Sequence, residues 1–125
     1  MFGKILFATT ASPGSNNAAK SAFDLAERNE ARLYLFHVFG VPTRGFGHLV
    51  HDLKSGEEDL VDSDYREWVQ EELHTIYADQ IKGLSKGTLA TQLAVGVPHT
   101  EILRFARQED VDIIVMGAHN SEEDN

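Results

Sequence analysis

An alternation of strand and helix signals predicts an α/β fold with an open parallel sheet flanked by helices. Two observations carry this expectation. Apolar runs of strand length at residues 3 to 9, 31 to 38 and 111 to 117 read as strands covered by helices, and amphipathic stretches of helical period separate them. A chain of 125 residues without cysteine is long enough to bury one core with no disulfide or metal staple.

The first strand, residues 3 to 9, leads into "SPGS", where Ser12 before Pro13, or Ser15, is placed to cap a helix. Ala18, Ala19, Ala22, Phe23, Leu25 and Ala26 then form a stripe at helical spacing, its small side chains suited to close packing on a sheet. The second strand, "ARLYLFHV", spans 31 to 38. After it comes "FGVPTRGFGHLVHDLKSGEEDL", with four glycines and no period, read as a long functional or mobile loop.

A second helix is predicted from about Ser63 to Ser85, with Tyr65, Val69, Leu73, Ile76, Gln80 and Leu84 on one face and Trp68, Tyr77 and Ile81 widening it. Trp68, beside the glycine loop, is expected to be partly exposed or at an interface. The third strand, "TLATQLAV" at 88 to 95, alternates more than the others, as an edge strand does. Pro98 opens a third helix whose Ile102, Leu103, Phe105 and Ala106 are expected to face inward. "VDIIVMG" closes the pattern as a fourth strand ending at a glycine.

The net charge of −9, with no cluster of Lys or Arg, argues against nucleic acid and membrane surfaces as partners. The N-terminal apolar run is too short for a signal peptide or a membrane span, and the expected location is cytoplasmic. Acidic residues concentrate at 57 to 72 and in the tail, where a solvated face explains them.

Chemical motifs are few. "GFGHLV" lacks the third glycine of a dinucleotide fingerprint and does not join a strand to a helix. The six histidines, at 37, 48, 51, 74, 99 and 119, have no ligand spacing, so no metal site is expected. His37, inside a strand, is expected to hydrogen-bond a backbone group. Neither Ser12 nor Ser15 sits in a nucleophile elbow, and no carboxylate pair is evident, so the chain is expected not to be an enzyme. The carboxyl ends of strands one, two and four would lie on one edge of the sheet, where a ligand crevice opens if the strand order reverses there.

"KILFATTASPGSNNAAKSAFDLA", "ARLYLFHVFG" and above all "VGVPHTEILRFARQEDVDIIVMGAHN" resemble the universal stress protein family. The Gly-x-Pro start, the Ile-x-x-x-Ala helix, an Asp before the apolar strand and the closing Val-Met-Gly carry the likeness. The resemblance implies a Rossmann-like fold of the adenine-nucleotide alpha hydrolase type, homodimer assembly and a role under stress; some members bind ATP and others do not. It implies a domain cut short after strand four, without the last helix and strand, so that strand four would offer a bare edge for dimerisation.

In ATP-binding members an Asp ends strand one; Thr10 stands there. Ala8, Val38, Met116 and Gly117 match positions on the adenine side. The phosphate loop retains Gly117, has Asn120 for its second glycine, and has His119 where His or Arg is common. The expected function is a non-enzymatic stress or protein-interaction role, with ATP or AMP bound weakly or not at all. A nucleotide-binding member with weak ATPase activity is the alternative.

Overall fold

The computed structural model describes residues 3–10, 13–40, 49–51, 58–60 and 63–117. Ten elements follow one another: β1 (Lys4–Ala8), α1 (Pro13–Asn29), β2 (Arg32–Gly40), β3 (Leu49–His51), β4 (Glu58–Leu60), α2 (Ser63–Ile76), α3 (Ala78–Lys82), β5 (Leu89–Gly96), α4 (Pro98–Gln108) and β6 (Ile113–Met116). β5, β2, β1 and β6 form, in that order, a parallel four-stranded sheet. The predicted α/β class therefore holds, and β5 is an edge strand, as its alternation suggested.

Strand alternation sorts the side chains to two faces. Ile5, Phe7, Leu33, Leu35 and Phe39 meet the alanine stripe of α1 (Ala19, Ala22, Ala26) and the α2 side chains Tyr65, Val69 and Leu73. Leu6, Ala8, Tyr34 and Phe36 face α4, where Ile102 is buried and Phe105 stacks on Phe36 with ring centroids 4.8 Å apart. Consecutive crossovers from β1 through β2 to β5 run to one side of β1, whereas α4 carries the chain back to β6 on the other. The strand order thus reverses between β1 and β6, the place where open α/β sheets form crevices.

Both α1 and α4 end in the same way. Glu30 and Asp110 adopt positive φ (51° and 53°), and the next residues donate five residues back, Ala31 N–H to Ala26 and Val111 N–H to Ala106, each at 2.9 Å. This is the left-handed helix cap normally given to glycine, here turning each helix directly toward its following strand.

Several expectations are corrected. The second helix is not continuous: it breaks at Tyr77, which is 1% exposed, and the chain restarts as α3. Ile76 is 42% exposed although the period placed it inward, because the buried stripe runs through Tyr65, Val69, Leu73 and Tyr77 at four-residue spacing. Leu103 is 46% exposed, because the single inward face of α4 is filled by Ile102, Phe105 and Ala106. The long loop contains the antiparallel pair β3–β4, in register Leu49 to Leu60, too short for any periodic signal. β6 is only partly buried and Met116 is 56% exposed, since β6 is an outer strand of the sheet as described and not one covered throughout. Ser15 lies inside α1 and takes part in another contact, described below; Ser12 and the acidic tail lie outside the described residues.

Candidate functional site at the carboxyl edge of the sheet

The end of β1 is the hub of this edge. Thr9 donates its N–H to Phe36 O at 2.9 Å, continuing the sheet one residue past the strand. Its side chain is buried and meets the Tyr77 hydroxyl at 2.5 Å; that hydroxyl donates to Asn16 Oδ1 at 2.8 Å. A phenol carries one proton, so Thr9 Oγ1 donates to Tyr77, and a directed chain runs from β1 through the α2–α3 break to the first turn of α1. Burial raises the Tyr77 pKa, with the Thr9 bond acting the other way.

His37 closes the other side. Its Nδ1 lies 2.9 Å from Thr9 O. A carbonyl only accepts, so Nδ1 carries the proton and donates, and in the neutral ring Nε2 keeps a lone pair. Burial lowers the His37 pKa and outweighs the backbone hydrogen bond that raises it. The expected backbone-bound strand histidine is what the structure contains.

Thr10, which the resemblance matches to the Asp of ATP-binding members, is turned toward α1. Its N–H donates to Ser15 Oγ at 3.1 Å, and the two hydroxyls are 3.0 Å apart. Ser15 is 4% exposed and Thr10 is exposed, so the contact is part-buried at the helix start.

Of the other residues singled out, Ala8 pairs with both Phe36 and Met116 across the sheet. Val38 packs in the same α4-side cluster as Ala8 and Ile114, and the two-residue period puts Met116 on the side of Ile114. The structure thus brings Ala8, Val38 and Met116 to one face. Gly117 touches the start of α1: a Cβ on it would overlap the backbone of Gly14 and Ser15. Only a residue without a side chain permits that approach. His119 and Asn120 lie outside the described residues.

Sequence reasoning missed the other face. Between β2 and α2 lies a cavity of about 140 Å³, with Val69, Leu73 and Ile76 as apolar walls and Thr10, His37, Trp68 and Glu72 completing it. Trp68, Glu72 and Ile76 recur every fourth residue, a spacing that marks one helical face, and this was the available signal. Trp68 is half-buried, as expected. A wider, open depression of about 390 Å³ follows α2 past Arg66, Glu67, Gln70 and Glu71 to His74; charges of both signs there favour no one ligand. Among the described residues, no cluster of three or more potential metal ligands occurs, and no helix is long and apolar enough to cross a membrane.

A parallel sheet whose order reverses at β1, with turns converging at that edge, defines the Rossmann-like class of α/β domains. Within that class the chain belongs to the universal stress protein family, whose family model matches residues 1–123. Universal stress protein MJ0531 of Methanocaldococcus jannaschii is 30% identical over 127 residues, an alignment covering 94% of this chain and 65% of that protein. The chain therefore spans 65% of that relative's length. Among solved structures, hypothetical protein MJ0577 superposes with a TM-score of 0.65 at 25% identity, covering 98% of this chain and 78% of the other. A universal stress protein solved in complex with cAMP superposes with a TM-score of 0.63 at 16% identity, covering 91% and 75%.

Proposed function

We propose that this domain serves a non-enzymatic stress-response or protein-interaction role, works as a homodimer, and holds ATP or AMP weakly or not at all. The observation that supports weak nucleotide binding is the Thr10–Ser15 contact. A neutral hydroxyl replaces the carboxylate implied by the resemblance, and both its N–H and its Oγ are directed to Ser15. Isothermal titration with ATP and AMP is expected to give no saturable heat at micromolar ligand; a Kd in the low micromolar range or tighter overturns the reading. Thr10→Asp alone is expected not to create tight binding. Sedimentation is expected to show a dimer, with a well-folded monomer at high micromolar concentration as the contrary result.

One observation favours the alternative, a nucleotide-binding domain with weak ATPase activity. Ala8, Val38 and Met116 share one face at the sheet edge, and a protein of the same fold was solved with cAMP. Phosphate release from ATP above the buffer rate, abolished by Gly117→Val, would establish it.

A further inference from the structure

We propose that the cavity between β2 and α2 is a binding site for a small planar organic cation, a ligand class distinct from adenine nucleotides. Thr10 borders both this cavity and the nucleotide side, but the adenine-side residues lie elsewhere. Ala8 and Val38 face α4, whereas the cavity lies on the opposite face, against α2.

Size limits the occupant. An apolar cavity of 150 Å³ is known to hold one benzene-sized ring, and this one measures about 140 Å³. Val69 and Leu73, 3% and 2% exposed, form its floor; Ile76, Thr10 and Glu72, all exposed, stand at its mouth. The floor is rigid because both residues belong to the main core.

Chemistry selects the charge. Trp68 lines the space, and an indole ring attracts cations and the positive edges of rings. With Nδ1 committed to Thr9 O, His37 contributes a lone-pair acceptor. Glu72 adds a carboxylate, and no Lys or Arg is among the residues lining the space. An indole, an acceptor nitrogen and a carboxylate around an apolar floor complement a flat ring bearing N–H donors and a positive charge. An anion would meet repulsion from Glu72 and from the protein's net charge of −9.

Benzamidinium is the probe and benzoate its size-matched anionic control. Trp68 is the sole tryptophan and lines the cavity, so its fluorescence reports occupancy directly. Benzamidinium is expected to change that emission saturably with a Kd of about 1 mM or tighter, and benzoate to bind at least about fivefold more weakly. Glu72→Gln, at an exposed position, is expected to weaken benzamidinium about two- to fivefold, the worth of one exposed charge pair, with circular dichroism unchanged; Glu72→Lys should reverse the preference between the two probes. Absence of a saturable change, equal binding of the two probes, or indifference to Glu72→Lys overturns the proposal. Titration with ATP reads only the nucleotide proposal, so failure of either inference is seen separately.

Discussion

Tyr77 and Thr9, 68 residues apart, share a buried hydroxyl contact of 2.5 Å, and it falls where α2 breaks into α3. The Tyr77 ring is wedged edge-on to Phe7, centroids 5.5 Å apart, and beside Phe23, so the residue that interrupts the helix also fills the core.

Tyr77→Phe should keep the ring packing but leave Thr9 Oγ1 and Asn16 Oδ1 without this partner. A loss of about 0.5–1.5 kcal/mol in urea unfolding is expected, the usual net worth of one hydrogen bond. The raised Tyr77 pKa adds a second signature. The unfolded phenol ionises first, so the stability contributed by the neutral form is complete below pH 10.0 and is lost as pH rises through the folded value. The variant should lack that alkaline loss.

His37 acts in the opposite direction. Its folded pKa lies below 6.5 because burial disfavours the imidazolium, so the unfolded state takes up the proton first as pH falls. Stability is therefore expected to decline from pH 6.5 downward through the folded value. His37→Gln should flatten that part of the profile in denaturant titrations at successive pH values, and an unchanged slope would refute the assignment. Glu72, across the cavity, and Tyr77, through Thr9, are the titratable groups nearest this ring along the contacts described.

Gly117→Ala should destabilise the junction of β6 with α1. The added methyl overlaps the backbone of Gly14 and Ser15, which cannot rotate away as a side chain would. Overpacking of this kind costs about 1–3 kcal/mol. Thermal unfolding should report the loss, and Ser15→Gly, by removing a side chain but no backbone, should not relieve it.

Glu30→Gly is expected to be neutral to stabilising by up to about 1 kcal/mol. Residue 30 has φ of 51°, a conformation that costs a residue with a Cβ about 1–2 kcal/mol, offset in part by the entropy of glycine in the unfolded chain. Glu30→Val should be clearly destabilising, and equal stabilities of the two variants would contradict the cap described for α1.

Much of the architecture was legible because it rests on local periodicity. The runs around Ile5, Leu33 and Ile113, the alanine stripe of α1 and Pro98 before α4 each bear the stamp of burial on a known face, and together they dictate a parallel α/β sheet. The motifs around Gly96, Ile102 and Gly117 were sufficient to identify the family. Exposure of Leu103 and Ile76, the break at Tyr77 and the β3–β4 pair were not legible. Each depends on how much of a helix face its neighbours leave uncovered, or on pairing between residues distant in sequence. The same holds for the candidate sites. The sequence placed Thr10 at the end of β1, but its engagement with Ser15 depends on the angle at which α1 leaves the sheet. Trp68 and Glu72 lay on a visible helical stripe, yet only the docking of α2 over His37 sets them around one cavity, because periodicity defines which side chains share a face and tertiary packing alone defines what that face meets.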